Sequence, residues 1–506
     1  MEQINLGEIQ KSTKLENFSK EELISQVTIL EAEYLRAVRE IYRLKYQDLT
    51  DDQLRLVMEE QLRDLRDSMF GASSERYKKP EKEKNPDPPK PRIKKPSERY
   101  PNIPVREVVI TMDPVPGCLA CGKVMSDSGM TEDSEQLNVI PKKFEIILQK
   151  RVKYRCQCQS CIQTAPAPPR IIAGSSFSNE MIQDVVLSKY CDLIPIERYA
   201  AMAARSGLKD LPPHSLIAVT HQFADFTFSV YELIKSEVLK SRVLHADETP
   251  HKMLEGSETK SWYLWGFSTH EVCFLECHDT RSGDVASDIL LNSKCEVLVT
   301  DVYSGYGKAI RITNQSRLLT DKIPIENANC NAHARRYFFK PREKYKEAEF
   351  YLDHYHEIYQ LNSDAKGMTL EVVLQFRLQM KSHFEAMRIM AMEELPRYPS
   401  QSKYGKALNY FLENYDGLTL FLDDADVPID NNSQERLLRS HVVGRKTWYG
   451  THSERGAKTA AVLFSLVETC KLNQVNPREY FKNLVQDLLA GKKPYTPREF
   501  KDLNQS

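Results

Sequence analysis

The sequence predicts a multidomain α/β protein. A mixed sheet with flanking helices and a helical insertion is preceded by an N-terminal coiled coil, a zinc ribbon and a helical DNA-binding module. Three observations predict this. Short Val/Leu-rich runs bounded by turn residues gather between residues 241 and 340, the pattern of buried strands. Residues 341–425 then read as almost continuous helix with little turn chemistry. Five of the 11 cysteines crowd into Cys118–Cys161, which in a reducing compartment favours metal over disulfide.

At 506 residues the chain exceeds the roughly 250–300 that one core usually supports, so several domains are expected. An apolar fraction of 41% with 28% charged residues excludes a disordered or membrane-embedded class. No run of 18 apolar residues appears, and the start Met1-Glu2-Gln3-Ile4-Asn5 lacks a secretion signal, so a cytoplasmic location is expected. Net charge is −1, so contact with nucleic acid has to come from local basic patches.

Residues 19–76 read as a helical dimerisation region. Ser19 and Glu22 form a capping-box signature, and Leu23, Val27, Leu30, Tyr34, Ala37, Ile41 and Leu44 make an a/d seam. A second stripe, Leu54, Met58, Leu62, Leu65 and Met69, completes a helical hairpin, and the expected oligomer is at least a dimer. Residues 77–104 are a Pro/Lys-rich linker, since proline fixes φ and removes donors. In residues 105–170 the knuckles Cys118/Cys121 and Cys158/Cys161 offer four thiolates to one structural zinc, with Cys156 as an alternative ligand. Phe144–Tyr154 reads as the strand between the knuckles, and its Lys150, Arg151 and Lys153 are candidate DNA contacts.

Residues 171–240 form the helical module. Ile196–Gly207 and Leu216–Phe226 flank a short turn in helix-turn-helix fashion, a pattern shared by ordinary core helices. Residues 241–340 supply strands at Arg242–Ala246, Ser261–Ser268, Glu271–Cys277 and Cys295–Thr300, a helix over Gly283–Asn292, and a further strand at Ile325–Ala332. The insertion spans 341–425, residues 426–490 return to the core with C-terminal helices, and 491–506 form a tail.

Two acids stand in matched contexts. Arg242-Val243-Leu244-His245-Ala246-Asp247 is closed by Thr249-Pro250, and Cys295-Glu296-Val297-Leu298-Val299-Thr300-Asp301 by Ser304-Gly305. A carboxylate ending a buried strand is costly unless something positive meets it, and two side by side suit a hard cation such as magnesium. The competing reading makes each Asp a turn residue. A third acid follows in Asp430-Asn431-Asn432-Ser433-Gln434-Glu435, where Asp430 and Asn432 are N-cap candidates and Glu435 falls in the first turn. Asn432 and Glu435 also fit a capping pair, a purely structural role. Arg436, Arg439, Arg445 and Lys446 make this the clearest basic patch beside an acid, suited to phosphates.

In order, the chain carries Met69-Phe70-Gly71-Ala72-Ser73-Ser74-Glu75-Arg76, the cysteine knuckles, Ser188-Lys189-Tyr190 and His245-Ala246-Asp247-Glu248-Thr249-Pro250. It continues with Asp301-Val302-Tyr303-Ser304-Gly305-Tyr306, Cys330-Asn331-Ala332-His333-Ala334-Arg335-Arg336, Asp430 to Arg439, Gly444-Arg445-Lys446 and Glu468-Thr469-Cys470-Lys471-Leu472-Asn473. With these stretches it resembles the transposases of the IS66 family of bacterial insertion sequences over nearly its whole length.

The resemblance implies an RNase H-like fold and a DDE triad of Asp247, Asp301 and Glu435 binding two Mg²⁺ (or Mn²⁺) ions. It implies cleavage at the element's terminal inverted repeats, transfer of the freed 3′-hydroxyl to target DNA, and accessory proteins encoded by the same element. Val302 stands where the family usually has glycine. Two other functions use the same parts: a catalytically silent DNA-end-binding regulator, and an RNase H-like nuclease that cuts without joining.

Overall fold

The computed structural model describes residues 50, 53, 55, 57–60, 95–111, 113, 116, 119–120, 123–125, 130–140, 142–155, 161–255 and 261–505. The a/d seam from Leu23 to Leu44 and Cys118, Cys121, Cys156 and Cys158 lie outside the described residues, whereas Cys161 is exposed. The chain divides into two compact units, Met1–Gly71 with Gln149–Ser506, and Ala72–Leu148.

In the smaller unit a helical turn, Pro96–Arg99, opens where the linker was expected to continue. Ser97 donates from its backbone N and its Oγ to the two Glu135 oxygens at 2.8 and 2.9 Å. Most apolar side chains described here are exposed, Ile110 and Val139 among them.

From Gln149 onward the larger unit opens on a hairpin, β1 (Lys153–Arg155) and β2 (Ile162–Thr164), paired Tyr154 to Gln163. The strand expected from Phe144 is therefore shorter, because only residues from 153 onward find a ladder partner. Four helices follow: α1 (Asn179–Tyr190), α2 (Ile196–Arg205), α3 (Pro213–Phe226) and α4 (Phe228–Lys240). They are not a separate module. Val186, Phe223 and Val238 share one continuous core with Leu244, Phe274 and Leu298 of the sheet. The second helix of the helix-turn-helix-like pair, α3, buries Leu216, Val219 and Phe223 in that core.

The sheet has five strands: β3 (Val243–Lys252), β4 (Ser261–Ser268), β5 (Cys273–His278), β6 (Val297–Thr300) and β7 (Glu326–Asn329). Their order is β5-β4-β3-β6-β7, with β3–β4 and β4–β5 antiparallel and β3–β6 and β6–β7 parallel. The mixed sheet is as expected, but β3 runs six residues past Ala246. Thr249-Pro250 makes no turn; Pro250 pairs with Tyr263, and its carbonyl accepts from Arg445 Nη1. A proline survives in a strand where its missing N–H is not needed by the ladder. The last strand likewise ends at Asn329 rather than Ala332, because Cys330 already caps α7.

Helices α5 (Gly283–Leu291) and α6 (Ser304–Leu318) connect the strands, and α7 (Asn331–Phe339) leads into the insertion. The insertion comprises α8 (Ala348–Asp364), α9 (Leu370–Glu394), α10 (Lys403–Glu413) and α11 (Tyr415–Thr419) around a second core of stacked aromatics. Phe338 stacks on Tyr351 at 4.1 Å, and Glu394 accepts from the hydroxyls of Tyr351 and Tyr404 at 2.9 and 2.5 Å.

Strand alternation sorts the sheet between the two cores: Leu298 belongs to the first, Val297 and Val299 to the second. The chain then returns through α12 (Asn432–Trp448), α13 (Glu454–Leu472) and α14 (Pro477–Leu489). The expected tail carries a last helix, α15 (Pro497–Gln505), whose Phe500 packs on Tyr480 and Tyr495. Among the described residues, no helix is long and apolar enough to cross a membrane.

Candidate active site on the central strands

Strands β3 and β6 pair Val243 with Val297, Leu244 with Leu298 and His245 with Val299. Continuing that register sets Asp247 beside Asp301, where neighbouring strands lie about 4.8 Å apart. Period-two alternation turns Asp247 to the same face as Val243, and Asp301 to the same face as Val297 and Val299.

Glu248 points the other way. Its side chain is 1% exposed, 2.6 Å from Arg281 Nη2, and accepts from Tyr306 OH at 2.5 Å. Burial still raises its pKa, with Tyr306 and Arg281 opposing the rise. The two adjacent acids of His245-Ala246-Asp247-Glu248 thus differ in kind: one is neutralised inside the core, the other is not.

Asp247 is held by Glu248 N donating to its Oδ1 at 2.9 Å, and Asp301 by Tyr303 N donating to its Oδ1 at 3.1 Å. Among the described residues, no lysine or arginine forms an ion pair with Asp247, Asp301 or Glu435. Burial, then the charges of Glu248, Asp301 and Glu435, push the Asp247 carboxyl up to about 8. Exposed Val302 is not among the residues of positive φ, so a branched side chain in glycine's place causes no backbone strain.

The third acid arrives through long-range contacts. Arg242 pairs with Asp424 at 2.7 Å and Asp426 at 3.0 Å, and Arg377 donates to the carbonyls of Ala425 and Val427 at 3.1 and 2.9 Å. These clamps deliver the return segment to β3. There Asn431, 1% exposed, donates from Nδ2 to Ala246 O at 2.8 Å and bonds His245 Nδ1 at 2.8 Å.

Asn431 is also the residue before α12, and Asp430 Oδ1 takes the Asn432 N–H at 3.1 Å. The expected N-cap at Asp430 or Asn432 is thus displaced to Asn431. The Asn432–Glu435 capping pair is not formed, and Glu435 Oε1 is buried without a hydrogen-bond partner.

Sequence reasoning did not place Cys330 and His333 at the site, although it noted the stretch containing them. Cys330 and His333 open α7 in C-x-x-H spacing, which puts both on one helical face. Cys330 Sγ, a His333 ring nitrogen and a Glu435 oxygen all lie within 4.8 Å of one another.

Of the proposed DNA contacts, Arg436, Arg439 and Lys446 are exposed on α12. Lys150, Arg151 and Lys153 are exposed beside and within the β1 hairpin, where Arg151 Nη1 reaches Ala165 O at 3.4 Å. Arg445 is spent on the Pro250 carbonyl and joins α12 to β3.

Residues 174–459, which contain both strand acids and Glu435, match the family model "Transposase IS66 family". The chain belongs to the IS66 transposase family. Similar proteins of Sinorhizobium fredii (strain NBRC 101917 / NGR234) include "Uncharacterized protein y4hP", 24% identical over 74% of this chain and 71% of that one. "Uncharacterized protein y4qI" is 26% identical over 76% of this chain and 72% of its own length. The IS66 match extends through the whole helical insertion, so the interrupted architecture falls within the family's span.

Proposed function

We propose that this IS66 transposase cuts and joins DNA strands with Asp247, Asp301 and Glu435 as a DDE triad holding divalent metal. The observation that carries this reading is Asp247: a half-buried carboxylate crowded by Asp301 and Glu435, with no lysine or arginine among the described residues paired to any of the three. Three carboxylates are a hard oxygen donor set that suits Mg²⁺ or Mn²⁺. Bound divalent ions supply Lewis-acid polarisation of a phosphodiester and a nucleophile at neutral pH.

The chain's own contribution is placement. Strand register sets the two aspartates side by side, and the Asn431 contacts to β3 bring the first turn of α12 to them. Exposed Arg436 and Arg439 on that helix are suited to backbone phosphates, fixing DNA in register without reading sequence. The proposed substrates are the element's terminal repeats and its target DNA.

The test uses the full chain with end-labelled terminal-repeat DNA and Mg²⁺ or Mn²⁺. Nicks and strand-transfer products are expected from the parent and not from Asp247→Asn or Asp301→Asn, while both variants retain DNA binding. Cleavage persisting in both variants would overturn the mechanism.

A further inference from the structure

Beside the triad lies a second donor set of different chemistry. Cys330 offers sulfur, His333 nitrogen and Glu435 oxygen, with their donor atoms within 4.8 Å of one another. His333 Nδ1 and Glu435 Oε1 are 3.7 Å apart, and both atoms are buried with no hydrogen-bond partner. Tetrahedral zinc, with bonds of about 2.0–2.3 Å, holds its ligand atoms roughly 3.3–3.8 Å from each other. One pair is therefore already at ligand spacing, and the thiol has about 1 Å to close.

Rigid parts fix all three. Cys330 and His333 share the start of α7, Glu435 sits in the first turn of α12, and Asn431 N donates to Cys330 Sγ at 3.2 Å, tying the two helix starts together.

We infer that Cys330, His333 and Glu435 form a binding site for a thiophilic divalent ion such as Zn²⁺, and that its occupation inhibits the transposase. Mg²⁺ does not itself occupy this site, because it takes oxygen ligands and avoids sulfur. The inhibition follows from sharing: Glu435 cannot serve this site and the site of Asp247 and Asp301 at once. Three protein ligands leave a fourth position open to water or a phosphate oxygen. Binding stands independently of the proposed triad, whereas the inhibitory consequence rests on it.

The full-length chain is titrated with Co²⁺, an optical stand-in for zinc, and the spectrum of Cys330→Ser is subtracted from that of the parent. The subtraction removes signal from the cysteine knuckles. A thiolate-to-cobalt charge-transfer band is expected in the difference, and His333→Gln is expected to weaken binding by more than the roughly 10–100-fold of an outer-shell partner. In Mg²⁺-dependent cleavage at buffered zinc, the half-inhibitory Zn²⁺ concentration should rise at least ~10-fold in Cys330→Ser.

A featureless difference spectrum overturns the site. Should Cys330→Ser fail to fold, His333→Gln decides, and unchanged Co²⁺ affinity in that variant overturns the site equally. If Glu435→Gln loses the Co²⁺ site yet cleaves like the parent, the metal site stands, while the triad and the inhibition fall.

Discussion

Gly266 on β4 faces Gln434 of α12 so closely that a Cβ at position 266 would collide with Gln434 Nε2 and press on Leu275. Gln434 is fully buried, and its Oε1 accepts from Ser268 Oγ, so its side chain has little freedom to retreat. Gly266 is also the β4 partner of Asp247, and Gln434 immediately precedes Glu435. The missing side chain thus sets the height of the third acid above the first.

Gly266→Ala should therefore destabilise the fold by about 1–3 kcal/mol through overpacking and should lower cleavage more than DNA binding. Thermal unfolding and a strand-cleavage assay check this. Gln434→Ala in the same chain should return part of the lost stability; a strictly additive double variant would disprove the contact.

The Asp247 carboxyl, pushed from 3.8 up to about 8, gives the metal-free protein an unusual pH dependence. Between those values the folded chain binds a proton there that the unfolded chain does not. Stability contributed by this group consequently falls as pH rises from about 4 to about 8. Thermal unfolding of the parent should show that decline without divalent metal, and Asp247→Asn should show less of it. Mg²⁺ competes with the proton, so its stabilising effect should grow as pH rises through about 8, with proton release on binding.

Arg439 and Arg445 separate phosphate contact from scaffold. Arg439 is exposed, so Arg439→Ala should weaken DNA binding uniformly across sequences and reduce the salt slope by about 1. Arg445 donates to Pro250, so Arg445→Ala should lower the unfolding temperature and leave the salt slope nearly unchanged. Filter-binding at several salt concentrations distinguishes them.

Glu435→Gln tests the third acid. The capping role that glutamine would preserve is not formed, because Asp430 takes the Asn432 N–H and Glu435 Oε1 has no partner. The variant should fold and bind DNA like the parent but cleave orders of magnitude more slowly. Near-parental cleavage would remove Glu435 from the triad.

By itself, the sequence determined the mixed sheet, the helical insertion and the two strand acids. Val/Leu-rich runs bounded by turn residues and matched acids are local signals, legible without any tertiary contact. It also reached Glu435, through the resemblance. The tertiary structure decided what depends on pairing across long separations. Which acid of Asp247-Glu248 is free followed from Tyr306 and Arg281 closing on Glu248. That β3 continues through Thr249-Pro250 followed from pairing with β4 and from Arg445. The cap at Asn431 followed from its bonds to Ala246 and His245, and the placing of Cys330 and His333 beside Glu435 from α7 and α12 starting side by side. Turn and cap propensities are worth about 1 kcal/mol, and buried long-range contacts outweigh them.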